Sequence, residues 1–173
     1  HKRIDEDVDI DLIARGTPGM SGADLSNLVN EAALFAVRGG DTRIHAHHFD
    51  MARDRVIMGV KRDSLVMSEE EREMTAYHED GHALCASLLP DYDPLHKVTI
   101  LPRGMALGVT WSLPQERHTY SKEYFEDTIC KAMGGRVAEE IHFGKDKVTS
   151  GASSDISAAT NLARMMVTRW GFS

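Results

Sequence analysis

Apolar residues recur at helical spacing along several stretches of the chain. The clearest in the first sixty residues follows Ser21, where Leu25, Leu28, Val29, Ala32, Ala33 and Ala36 fall on one helix face. Ser21 and Asp24 form a capping pair at its start, and Gly39-Gly40 ends it. "VDIDLIARG" at 8–16 predicts a short helix closed by Gly16, and a third helix is expected from about Ala46 to Met58. Three helices in so short a span predict a small bundle.

A junction at 59–66 leads to a second pattern. Ser68-Glu69-Glu70-Glu71 is a capping box, opening a helix that reaches about Leu88 and stops before Pro90. "HKVTILP" and "ALGVTWSLP" are rich in β-formers and punctuated by turn residues, which predicts paired strands. Helices are expected from Lys122 to about Phe143, interrupted or tightly packed at Gly134-Gly135, and from Ser154 to about Trp170. The fold class is therefore mainly α: a small helical bundle, then a helical domain with a small β-sheet.

Composition narrows the classes. Of 173 residues, 42% are hydrophobic and 27% charged, too apolar for a disordered chain. A net charge of -7 without a basic run argues against nucleic acid as a partner. Cys85 and Cys130 sit inside apolar helical patterns, a poor disulfide framework that suggests a reducing compartment. No stretch approaches the roughly 20 apolar residues of a membrane helix, and no signal peptide is visible. The chain starts without methionine and stops just after a strong helical pattern, which reads as a piece of something longer.

The chemistry lies in "TAYHEDGHALCASLL" at 75–89. Successive helical residues turn by about 100°, so His78 and His82 project within about 40° of each other, one turn apart. Two imidazoles so placed suit one Zn²⁺. Glu79 projects about 80° from their mean direction, able to flank a metal without ligating it and to take a proton from its water. A catalytic zinc also needs a third protein ligand. The extended motif with a third histidine fails, because Cys85 and Leu88 occupy the positions of its glycine and histidine. Glu139, Glu140 and Asp155 remain as candidates; Asp155 falls where a helix N-terminus favours an anion. The histidines of "HAHHFD" (His45, His47, His48) read as surface or capping residues, lacking support from Cys or acid.

Five segments, "GTPGMSGADLSNLVNEAALFA", "TAYHEDGHAL", "HKVTILPRGMALGVT", "GGRVAEEIHFG" and "VTSGASSDISAATNLARMMVTRWGFS", resemble in order the FtsH family of membrane-anchored, ATP-dependent zinc metalloproteases. The resemblance implies that 1–62 is the helical lid subdomain of an AAA ATPase module and 63–173 the first part of a zinc-peptidase domain. It implies zinc ligation by His78, His82 and Asp155, with Glu79 as catalytic base. Leu107, Gly108, Val109 and Thr110 match an edge strand that aligns substrate backbone by strand addition. Gly22 and Ala23 match the lid segment near bound nucleotide. Implied for the full-length protein are ATP as cofactor, protein substrates, a homo-hexamer, and a membrane anchor in segments absent here, with this part facing the cytoplasm or the equivalent organelle compartment. No G-x-x-x-x-G-K-[ST] loop occurs in these residues, so this piece is not expected to bind ATP by itself.

Asp80 departs from the family pattern, which has a small apolar residue there. It projects about 180° from the histidine pair, among Ala76, Ala83 and Ser87, where small residues suggest close packing and a carboxylate needing a partner. The competing reading of the whole chain is a non-catalytic lid and assembly scaffold whose metal site is inert.

Overall fold

The computed structural model describes residues 2–59, 65–102, 106–115 and 117–172. The expected boundary between 62 and 63 lies outside them, as do most of the junction and residues 103–105 of the strand region. The chain forms two compact units, His1–Arg62 and Asp63–Ser173. Among the described residues there are six α-helices and one two-stranded sheet, and no helix is long and apolar enough to cross a membrane.

The first unit holds α1 (Ile10–Arg15), α2 (Gly22–Gly39) and α3 (Ala46–Met58). Asp9 caps α1, its Oδ1 accepting from the Leu12 N–H at 2.9 Å. Ser21 and Asp24 close the expected box on α2: Asp24 Oδ2 accepts from the Ser21 N–H at 2.9 Å, and Ser21 Oγ from the Asp24 N–H at 3.3 Å. Gly40 ends α2 in the left-handed region at φ 83°, a conformation that suits glycine. Leu28, Ala32 and Ala36 of α2 meet Ile44, Phe49 and Ala52 to form the core. Leu25, read onto the same face, is exposed.

The "HAHHFD" reading needs correction. Ile4 pairs with Ile44 in a parallel bridge, bringing the N-terminal acids alongside α3. Asp7 accepts from the Ala46 N–H at 3.3 Å and lies 3.5 Å from His45 Nδ1. His48 is only 2% exposed; its Nδ1 accepts from the His45 N–H at 3.0 Å and its Nε2 lies 3.3 Å from Asp41. Acid support is present, delivered by a chain crossing that local spacing does not encode. The Nδ1 acceptor role leaves the hydrogen on Nε2, so His48 serves as a capping residue with Nε2 beside Asp41.

In the second unit, α4 (Glu69–Leu88) opens on the Ser68–Glu71 box, with bonds of 2.9 and 3.1 Å. Strands β1 (Leu95–Thr99) and β2 (Val109–Ser112) pair antiparallel, Val98 opposite Thr110 and Thr99 opposite Val109. Helix α5 (Lys122–Phe143) runs unbroken through Gly134-Gly135, and α6 (Ser153–Arg169) follows two short 3₁₀ turns. The glycines are there for contact: a Cβ on Gly81 would fall 2.3 Å from the Gly134 carbonyl oxygen, so α4 and α5 touch backbone to backbone. Asp80 is exposed, so the expected buried carboxylate does not arise. The α5 contact is made on the Gly81 side of α4, by Gly81 itself and by His78 and His82, and not on the side that carries Asp80.

Candidate metal centre

Three side chains converge where α4, α5 and the start of α6 meet. His78 and His82 present their Nε2 atoms 3.0 Å apart. Asp155, in the first turn of α6, places Oδ2 3.4 Å from His78 Nε2 and 3.5 Å from His82 Nε2. Ligands at about 2.0–2.1 Å from a tetrahedral zinc stand about 3.3–3.4 Å from one another. The two separations to Asp155 match that spacing, and the two imidazole nitrogens stand about 0.3 Å inside it.

The rest of each imidazole is committed elsewhere. His78 Nδ1 lies 2.7 Å from Glu139 Oε1, and His82 Nδ1 lies 2.8 Å from the Lys131 carbonyl. Glu139 is an acceptor, so His78 Nδ1 carries the hydrogen; at His82 the 2.8 Å bond to the Lys131 carbonyl prevails over a longer 3.3 Å approach of the Gly135 N–H, and each Nε2 offers its lone pair to the shared point. Glu139 is itself 1% exposed, and its Oε2 accepts from the Thr149 N–H and hydroxyl at 2.8 and 3.1 Å. Glu140, the neighbouring acid, pairs outward with Arg136 and Lys145 at 3.1 and 3.7 Å. Of the three acids that spacing left open, only Asp155 joins the histidine pair, while Glu139 orients one member of it.

Electrostatics favour positive charge at this point. Burial raises the Asp155 carboxyl, but its contacts with His78 and His82 outweigh that and hold it well below the usual carboxylate range. Burial favours a neutral His78, yet Asp155 and Glu139 pull its pKa up. A cavity of anionic and lone-pair groups this close together suits a cation.

Glu79 is buried beside the pair and held by the strand region. Thr110 donates its hydroxyl hydrogen to Glu79 Oε2 at 2.6 Å, and a Cβ on Gly108 would fall 2.6 Å from Glu79 Cγ. The four residues Leu107 to Thr110 thus have unequal roles. Leu107 is exposed, Gly108 packs on Glu79, Val109 pairs with Thr99, and Thr110 bonds Glu79. All four border a cleft of about 970 Å³ that also contains His78, Glu79, His82 and Asp155. Gly22 and Ala23 form the exposed first turn of α2, in the other unit.

Residue spacing did not reveal Gly135 or the Lys131 carbonyl. A Cβ on Gly135 would fall 2.6–2.7 Å from ring atoms of both histidines, so its bare backbone is what lets the imidazoles lie against α5. The double glycine within a helical pattern was its only signal.

The sequence model of peptidase family M41 matches residues 65–173, and that of the AAA+ lid domain matches 7–51. Among curated relatives, the "ATP-dependent zinc metalloprotease FtsH" of Photobacterium profundum is 56% identical over 171 residues, covering 98% of this chain and 25% of the relative. The protein of the same name from Acidimicrobium ferrooxidans is 57% identical over 173 residues, 99% of this chain and 26% of its own. That of Buchnera aphidicola subsp. Schizaphis graminum is 55% identical, 98% and 28%. The chain spans about a quarter of the length of these relatives. With the M41 match covering well over half of its residues and the lid match preceding it, the chain belongs to the FtsH family of ATP-dependent zinc metalloproteases, peptidase family M41.

Proposed function

We propose that this segment hydrolyses peptide bonds, with His78, His82 and Asp155 holding zinc and Glu79 acting as general base. The observation that carries the reading is the convergence of three donor atoms at separations of 3.0, 3.4 and 3.5 Å, with a buried carboxylate on the adjoining residue. Bound there, zinc would supply Lewis acidity, lowering the pKa of a coordinated water towards about 7 and polarising the scissile carbonyl. Glu79 takes a proton from the attacking water and returns it to the departing amine. Thr110 fixes the Glu79 carboxylate through Oε2. Leu107–Thr110 align an extended substrate backbone along the cleft by strand addition, a mode tolerant of sequence.

Residues 1–62 act as the lid of an AAA ATPase module, with Gly22 and Ala23 near nucleotide, and 63–173 as the first part of the peptidase domain. The full-length protein uses ATP, acts on protein substrates as a homo-hexamer, and is anchored in a membrane with this part on the cytoplasmic or equivalent side. The two family matches support the division into lid and peptidase, and the relatives' printed names support ATP dependence and proteolysis; the hexamer and the membrane anchor rest on the family resemblance.

The test is Glu79→Gln in the full-length protein. Zinc content should stay near one per chain while cleavage of an unfolded substrate is lost. Normal cleavage by that variant would remove Glu79 from the role of base.

A further inference from the structure

Cys85 and Cys130 sit on the two helices that carry most of the metal-site residues. On α4 and α5 the partners run in opposite order: His82 reaches Lys131, Gly81 meets Gly134, and His78 reaches Glu139. The helices are therefore antiparallel at a backbone-to-backbone crossing. One turn beyond Gly81 stands Cys85, and one turn before Gly134 stands Cys130. Cys85 Sγ lies against the crossing, 2.9 Å from where a Cβ on Gly134 would stand. Each cysteine thus stands one helical turn along from the same backbone contact, on facing helices, although 45 positions separate them in sequence. Cys85 is half-buried and Cys130 is exposed. Both are free thiols in this structure, and what the sequence presents as two isolated cysteines is a facing pair.

We propose that Cys85 and Cys130 are a site of oxidative modification, closing a reversible disulfide between α4 and α5 under hydroperoxide. Cys130 reacts first because peroxide reaches it, whereas burial pushes the Cys85 thiol up and keeps it protonated. The Cys130 thiolate attacks one peroxide oxygen, the O–O bond breaks, and the sulfur becomes a sulfenic acid as water leaves. The Cys85 sulfur then attacks Cys130 Sγ, the S–O bond breaks, and a second water leaves. Two thiols have lost two electrons, and one peroxide has become two waters. A dithiol reductant restores the pair by exchange.

The bond would lie next to the metal site. Lys131 follows Cys130 directly, and its carbonyl holds His82 Nδ1. Tying Cys130 to α4 moves that carbonyl and weakens the grip on zinc. This second half rests on the metal reading above, whereas the disulfide does not.

The experiment treats the zinc-loaded full-length protein with hydrogen peroxide, then blocks free thiols and maps peptides without reduction. The expected result is one cross-linked species joining the Cys85 and Cys130 peptides, two hydrogens lighter than their sum and released by dithiothreitol. In Cys85→Ser, Cys130 should instead proceed to sulfinic acid. Both thiols alkylating freely after peroxide, or Cys130 over-oxidising in the unsubstituted protein without cross-linking, would overturn the proposal. Competition with a chelator should then show zinc held about 10-fold more weakly in the oxidised protein. A cross-linked protein with unchanged zinc affinity would overturn the coupling and leave the metal assignment standing.

Discussion

Glu139 and His78 are 61 residues apart in sequence, and their side chains meet at 2.7 Å. The carboxylate fixes the imidazole tautomer while Thr149 satisfies its other oxygen. Glu139→Ala should weaken zinc binding by about 10–100-fold, measured against a competing chelator. The Thr149 N–H loses its acceptor as well, which should cost about 0.5–1.5 kcal/mol of stability in a denaturant titration. Unchanged zinc affinity in a folded variant would deny Glu139 its orienting role.

Gly135→Ala puts a methyl 2.6–2.7 Å from both imidazole rings. Overpacking of this kind costs about 1–3 kcal/mol, and here the strain is relieved by displacing the rings. Zinc affinity should fall by at least about 10-fold. Gly144→Ala, with nothing within 4 Å of the added carbon, serves as control for general damage to α5; because Gly144 has φ 88°, its own cost is backbone strain alone and zinc should be retained.

Thr110→Val removes the hydroxyl bonded to Glu79 Oε2 while keeping the shape of the strand residue. The full-length protein should retain zinc, and kcat for peptide cleavage should drop about 10-fold, a loss matching one hydrogen bond to a charged group. Thr110→Ser should recover most of it. Equal losses in the Val and Ser variants would mean that the methyl, not the hydroxyl, matters.

His48 gives the first unit a dependence on pH. Burial lowers its pKa below 6.5, helped by His47 and His45 and opposed by Asp41 and Asp7. Between the folded value and 6.5 the unfolded chain binds more protons, so stability rises with pH through that window. The contribution is fully present above 6.5 and is lost as pH falls. Thermal melts should show the natural protein losing more stability between pH 7 and pH 5 than a His48→Gln variant, whose amide oxygen can still cap α3.

Metal removal should register as stability. Zinc present at about 100 times its Kd adds about 2.7 kcal/mol to the folded state. A chelator should lower the melting temperature of the natural protein and of Glu79→Gln. His82→Ala, lacking one ligand, should melt at the same temperature with or without chelator. A chelator-sensitive His82→Ala would place the metal elsewhere.

Elements whose signals are local were legible in the chain. Ser21 with Asp24 and Ser68 with Glu71 announce helix starts, and the pattern to Leu88 sets the length of α4. The His78–His82 pair follows from helical geometry alone. What eluded spacing is whatever the fold imports from a distance. Nothing in "HAHHFD" says that Asp7 will stand beside it, because that depends on Ile4 pairing with Ile44; Asp41 comes from the turn that follows α2. Nor does helical periodicity tell which of Glu139, Glu140 and Asp155 meets the histidines; adjacent Glu139 and Glu140 diverge by about 100° around α5 and so take opposite fates. The small neighbours of Asp80 suggest burial by spacing, yet small residues also occur on a face that meets water, and Asp80 is exposed.

The crossing of Gly81 over Gly134 has one more consequence. Where main chain meets main chain, with Ala138 and Cys85 close by, a larger side chain at either glycine has no room and would force the two helices apart. The spacing of α4 and α5 thereby sets where His78 and His82 stand relative to Glu139 and the Lys131 carbonyl.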